Sequence, residues 1–212
     1  MRSAIIFCGG GAARLEVEVA SDAFVVAADS GLAEANRLGV RVDLLVGDMD
    51  SVAPGDLEAY ERAGGEVQRH PEDKDSTDLD LAITAAIVAG AGHLTVVGGD
   101  GGRLDHLLGN ALLLATPRYA AVEIDGVFGS TRIHVVRRRR DMAGSPGELV
   151  SLFALGGPAR GVGTAGLRWP LEHATLEPGS TLGISNRFLA DRAAVTVAEG
   201  VVMAVRPGQE DV

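Results

Sequence analysis

A chain of 212 residues has room for one large domain or two small ones, and its 46% hydrophobic content suffices for a packed core. Aromatics at only 4% leave aliphatic side chains and alanine to fill that core, and a formal charge of −10, from 19 Lys and Arg against 29 Asp and Glu, excludes broad nucleic-acid binding through a basic face. With a single cysteine, Cys8, no intrachain disulfide can form; no run approaches the ~18 apolar residues of a membrane span, and Ala4 to Cys8 is too short for a signal peptide, so the expectation is a cytoplasmic protein with no membrane partner.

The first two-thirds of the chain alternates strand-like and helix-like segments. Ala4 to Cys8 reads as a buried strand. Gly9-Gly10-Gly11 follows as a turn with two open readings, a phosphate cradle or a plain strand-to-helix connection, since the full GxGxxG pattern is absent. Ala23 to Ala28 is a second strand, a weaker helix runs from about Leu32 to Leu38 and stops at Gly39, and Leu44-Leu45-Val46 is a third strand. Leu79, Ala82, Ile83, Ala86 and Ile87 recur at helical spacing, and Thr77 with Asp80 three residues on predicts the cap that starts this helix. Leu94 to Val97 is strand-like. Leu104, Leu107, Leu108, Ala111 and Leu112 predict a second buried helix face, halted by Thr116-Pro117, before the strand Ala121 to Ile124. Continuous apolar runs of this kind suit strands covered on both faces, as in parallel sheets.

Near residue 130 the character changes. Ile133 to Val136, Leu149 to Phe153, Thr181 to Ile184, Ala194 to Val197 and Val201 to Val205 read as short strands, punctuated by Pro146-Gly147, Pro178-Gly179, Glu199-Gly200 and Pro207-Gly208. The expected fold class is α/β: a mostly parallel, Rossmann-like α/β domain over residues 1–130, then a small all-β sandwich or barrel over residues 131–212. The basic run Arg137 to Arg140 reads as a solvated strand end.

Carboxylates gather in three segments beside predicted strand ends or helix starts: Gly47-Asp48-Met49-Asp50-Ser51, Asp73-Lys74-Asp75-Ser76-Thr77-Asp78, and Gly98-Gly99-Asp100-Gly101-Gly102-Arg103-Leu104-Asp105-His106. Each has a plain reading, as turn formers, helix N-terminal charge or a loop. Ligands of open α/β sheets bind beyond the carboxyl ends of the strands, so the three segments are expected to converge there. Clustered carboxylates repel one another unless a cation joins them; Mg²⁺ with a polyphosphate meets that need, the glycines admit phosphate to the backbone, and Arg103 neutralises it.

In this order, GDMDS, DKDSTD and GGDGGRLDH resemble the thiamine pyrophosphokinase family. Ala28-Asp29-Ser30-Gly31 upstream fits the same pattern, as do Thr164 to Leu171 and Gly183-Ile184-Ser185-Asn186 downstream, so the resemblance runs from about residue 27 to about 206. Three positions depart from it: Ser30 stands where a glycine is common, Asp100 where a small or neutral residue is expected, and Met203 where some members place a tryptophan. The resemblance implies a nucleotide-binding α/β domain and a β-sandwich domain in a homodimer, with Mg²⁺-ATP as donor, thiamine as acceptor and AMP as second product. By position it implies metal-site carboxylates at Asp48, Asp50, Asp78 and Asp105, which with Arg103 form the catalytic set. Asp29, Lys74, Asp75, Thr77, Gly102 and Arg103 are implied on the nucleotide, and Trp169, Ser185 and Asn186 on thiamine, at a site on the dimer interface. A pyrophosphokinase for another alcohol, such as a hydroxymethylpterin, and a non-catalytic nucleotide- or thiamine-sensing module are the competing readings.

Overall fold

The computed structural model describes residues 2–11, 13, 17, 19–73, 75–99, 101 and 103–208. They group into two compact units, one through Leu113 with Ala121–Gly129 added, the other Leu114–Ala120 with the chain from Ser130 onward.

The first unit carries strands β1 (Arg2–Cys8), β2 (Phe24–Ala28), β3 (Leu44–Gly47), β4 (Glu66–Arg69), β5 (Ala91–Val97) and β6 (Glu123–Phe128), and helices α1 (Gly31–Arg37), α2 (Pro54–Arg62), α3 (Asp78–Val88) and α4, which begins at Leu104 and runs to Leu114. The strands lie in the order β6-β5-β1-β2-β3-β4, every pair parallel. Helix α1 rests on β1 and β2, and α3 on β1, β2, β3 and β5. Ile6, Phe7, Val26, Ala27, Leu45 and Val46 are all wholly buried, which is why these strands read as unbroken apolar runs. Burying each of the larger side chains contributes about 1.5–3 kcal/mol.

Helix α3 begins as its sequence predicts: the Thr77 hydroxyl accepts from the Asp80 N–H at 3.3 Å. Helix α4 departs from expectation. It forms, but of its residues only Leu114 is buried, and Leu104, Leu108 and Leu112 are 68%, 54% and 57% exposed. A 3.6-residue period specifies a helix with one apolar side; it does not specify what covers that side.

The second unit holds β7 (Thr131–Val136), β8 (Arg139–Ala143), β9 (Leu149–Ala154), β10 (Ala159–Ala165), β11 (Ala174–Leu176), β12 (Asn186–Arg187), β13 (Arg192–Thr196) and β14 (Val202–Arg206). Two antiparallel layers form, β12-β9-β14-β7 and β11-β10-β13-β8. Val136, Val150, Leu152, Val202 and Ala204 from one layer meet Met142, Val162, Val195 and Leu176 from the other in one core, the arrangement of a sandwich. The expected strand at Thr181 to Ile184 is absent: Gly183 at φ 95° breaks the extended chain there, although its carbonyl still accepts from the Leu152 N–H at 3.0 Å. The arginine run divides. Arg139 lies exposed on β8, forked onto Asp141, as a solvated strand requires, whereas Arg137 is half-buried and donates to the Leu114 and Thr116 carbonyls at the end of α4.

Candidate active site

The carboxyl ends of β2 and β3 and the start of α3 bring three carboxylates together. Asp29, Asp48 and Asp78 each offer an oxygen, and the three oxygens lie within 4.8 Å of one another. The backbone builds this convergence. Asp29 adopts φ 47°, a left-handed conformation uncommon outside glycine, and its N–H donates to the Val46 carbonyl at 2.8 Å, so the chain turns into α1 with the carboxylate held at the strand end. Gly47 sits between the acids at φ 151°; a Cβ there would lie 3.2 Å from the Asp29 Cβ and 3.3 Å from an Asp78 oxygen. A side chain there would press on both acids and strain the backbone, so glycine eases their approach. The loops after β1 and β5 also meet backbone to backbone, since a side chain on Gly101 would collide with the Gly10 carbonyl.

Asp29 is 7% exposed, and among the described residues its Oδ1 has no hydrogen-bond partner. Burial pushes its carboxyl above the ordinary value, against hydrogen bonds from the Ser30 backbone and Ser51, with the charges of Asp78 and Asp50 adding to the rise. Three hard oxygen donors, one of them from the buried Asp29 carboxylate, fit a hard divalent cation such as Mg²⁺. The resemblance implies Asp29 on the nucleotide; the structure sets its carboxylate beside those of Asp48 and Asp78. The signal was an aspartate at a strand end, followed directly by a helix.

A raised folded-state pKa means that Asp29 stabilises the fold fully only below the ordinary carboxylate value, and that this contribution is lost as pH rises through the raised one. Asp29→Asn, which carries no such charge, is therefore expected to melt above the parent chain at pH 7 with chelator present. The gap should close near pH 4, and Mg²⁺ should narrow it at pH 7 by stabilising only the parent. Melting curves across pH test this; equal melting temperatures at pH 7 would show the carboxylate to be unstrained.

The other expected residues are placed as follows. Asp50 is exposed; its N–H donates to Asp48 Oδ1 at 3.2 Å and its own Oδ1 accepts from the Ser51 hydroxyl at 2.8 Å, so the turn-forming role of this segment is real alongside its place by the acids. Thr77 caps α3 and Asp75 is exposed just before it. Arg103 and Asp105 lie together at the start of α4, Nη2 to Oδ2 2.7 Å and both well exposed; the guanidinium holds the Asp105 carboxyl down at about 2. Lys74, Asp100 and Gly102 lie outside the described residues.

In the second unit, the chain before Pro170 and the chain after Ser185 run antiparallel, with Leu167 bridged to Phe188, the Arg168 N–H donating to the Arg187 carbonyl and the Leu189 N–H to the Gly166 carbonyl, each at 2.9 Å. This pairing brings Asn186 to Trp169. Trp169 is 53% exposed, with the Arg168 guanidinium 5.1 Å from its ring centre. Ser185 is exposed at φ 56°, its N–H donating to the Ser151 hydroxyl at 3.0 Å.

This architecture is shared by solved structures. A thiamin pyrophosphokinase from Geobacillus thermodenitrificans superimposes with a TM-score of 0.82 over 99% of this chain and 98% of its own, at 27% identity, and one from Bacillus subtilis shares the fold with a TM-score of 0.86 at 24% identity, over 98% of this chain and all of its own. In sequence, the thiamine pyrophosphokinase of Bacillus subtilis strain 168 is 28% identical over 171 residues, 76% of each chain, and thiamine pyrophosphokinase 1 of Oryza sativa is 26% identical over 181 residues, 80% of this chain and 67% of its own. The family model for the thiamin pyrophosphokinase catalytic domain matches residues 15–125, and that for the vitamin B1 binding domain of the same enzymes matches residues 130–202. The chain belongs to the thiamin pyrophosphokinase family.

Proposed function

We propose that this chain transfers a pyrophosphoryl group from Mg²⁺-bound ATP to thiamine, giving thiamine diphosphate and AMP. The match of both family models, in order along the chain, carries this reading. It does not favour a pterin pyrophosphokinase, and the carboxylate cluster speaks against a mere sensor, which has no need of a group that strains the fold.

In this reading Asp29, Asp48 and Asp78 hold Mg²⁺, with Asp50 and Asp105 extending the acidic surface. The metal, when bound, would neutralise the polyphosphate and polarise its phosphorus–oxygen bonds. Lys74, Asp75, Thr77, Gly102 and Arg103 face the nucleotide; Arg103 would exchange its exposed partner Asp105 for phosphate oxygens, which its planar fork also suits. Trp169, Ser185 and Asn186 serve thiamine, whose cationic ring suits a strongly acidic chain. The thiamine hydroxyl oxygen attacks the β-phosphorus, the bond from that phosphorus to the bridging oxygen of the α-phosphate breaks, AMP leaves with the electron pair, and the hydroxyl proton passes to solvent. Phosphoryl chemistry of this kind depends on positioning and charge stabilisation more than on covalent participation. The α/β portion is the ATP- and Mg²⁺-binding part and the β-sandwich the thiamine-binding and dimerising part, with the acceptor site at the interface of a homodimer. The proposed compartment is the cytoplasm, whose reducing poise suits a lone buried thiol at Cys8.

Incubation with Mg²⁺, ATP and thiamine is expected to yield AMP and thiamine diphosphate one to one. Accumulation of ADP with thiamine monophosphate would overturn pyrophosphoryl transfer, and turnover of a pterin alcohol in preference to thiamine would reassign the acceptor.

A further inference from the structure

Asn186 is 2% exposed, yet its carboxamide is among the most heavily bonded side chains of the second unit. Its Oδ1 accepts from the Trp169 N–H at 3.1 Å and from the Arg187 N–H at 2.8 Å, and its Nδ2 donates to the Trp169 carbonyl at 2.7 Å. Both main-chain groups of Trp169 are therefore held by one amide, 17 positions away in sequence. An amide oxygen has two lone pairs, and both are in use; one N–H of the amide remains, on a side chain almost wholly out of reach of solvent. Trp169, by contrast, is open over half its surface, and Pro170, which follows it, has no N–H of its own; the next donor along, the Leu171 N–H, is held by the Thr164 hydroxyl at 2.8 Å, so between Arg168 and Leu171 the main chain of Trp169 is fastened by Asn186.

We infer that Asn186 is a positioning residue that acts on the acceptor through Trp169: it clips the tryptophan main chain so that the exposed indole is presented in one orientation. The inference rests on the reading that Trp169 contacts thiamine. A side chain of this size on an unclipped loop would sample several orientations, and the entropy of fixing it would fall on each binding event. With the clip in place the loop is ordered before the ligand arrives.

The chain has a single tryptophan, so intrinsic fluorescence reports on this residue alone. In Asn186→Ala without ligand, fluorescence anisotropy should fall and the emission maximum shift to the red, while far-ultraviolet circular dichroism stays that of the parent. Thiamine KM should rise about 10-fold with ATP KM unchanged. Asn186→Asp keeps an oxygen for the Trp169 N–H and loses the donor to its carbonyl, and should fall between the two; it also serves should the alanine variant fail to fold. In a Trp169→Ala background, Asn186→Ala should change thiamine KM less than 2-fold further. An equal factor with and without the tryptophan would overturn the inference by showing that Asn186 meets the acceptor itself, and unchanged anisotropy would show that it does not order Trp169. If Trp169→Ala alone leaves thiamine KM unchanged, the placement of the acceptor fails, and the inference with it; the ligand-free anisotropy of Asn186→Ala separates that result from a failure of the clip.

Discussion

Asp78→Asn and Asp48→Asn are each expected to lower kcat by roughly 10²-fold or more, the scale on which loss of a charge-stabilising group aimed at the reacting centre is felt. The oxygens of these residues and of Asp29 lie within 4.8 Å of one another, so in the proposed metal site each carboxylate removed would take away a ligand that the other two could not replace. The fold should survive. Asp78 sits in the first turn of α3, where Thr77 already supplies the cap, and asparagine keeps the shape of the side chain. Removing one of several mutually repelling charges should leave the melting temperature with chelator unchanged or raised, and the stabilisation given by added Mg²⁺ should shrink in parallel with activity. Steady-state kinetics across Mg²⁺ concentration, with melting curves on the same samples, test both halves. Near-parental kcat with normal stability would leave Asp48 a turn former and Asp78 a helix-end charge, and nothing more.

Glu148→Leu is expected to cost about 3–5 kcal/mol, lowering the melting temperature by on the order of 10 °C, because it strands a buried cation. Arg206 is 8% exposed, its guanidinium forked onto Glu148 Oε1 and stacked 5.1 Å from the Phe188 ring centre. Arg206→Met combined with Glu148→Leu should recover most of that loss, since a buried pair replaced as a unit leaves no unpaired charge. Glu148 also accepts from the Ser145 N–H and, through its carbonyl, from the Phe188 N–H, and Gly147 exchanges bonds with the Phe188 carbonyl and the Arg187 side chain. The damage should therefore reach the chain around Asn186, raising thiamine KM in the single variant before ATP KM moves. A double variant no more stable than Glu148→Leu alone would show that the pair itself, rather than the stranded charge, holds this corner.

What could be read in advance followed from burial on both sides. The strands around Ile6, Val26, Leu45 and Val96 stand under helices, so their sequences are unbroken apolar runs. Helix α2 escaped notice because none of its side chains is buried and no apolar period marks it; Pro54 at its first turn and Asp56 were the available signals. Strand β8, Arg-Arg-Asp-Met-Ala, pairs on one side only among the described residues and carries the charges usual on a sheet edge, and β10 is interrupted by Gly161 and Gly163; neither shows the run or the alternation that marks a strand. At the site, the acids after β3 and at the head of α3 could be expected to meet from the rule that ligands lie beyond strand ends. That Asp29 belongs with them depends on a left-handed residue at the end of β2 and on a missing side chain at Gly47, and neither is a pattern along the sequence.

Helix α4 has a consequence for how the protein behaves in bulk. Three leucines one turn apart face water, and a shared charge of −10 opposes the meeting of copies there at neutral pH. The isoelectric point lies near 4.9, and as acid is added that long-range repulsion fades while the leucines stay as uncovered as before. Colloidal stability should therefore fall near pH 5, with the α4 stripe among the surfaces through which copies meet.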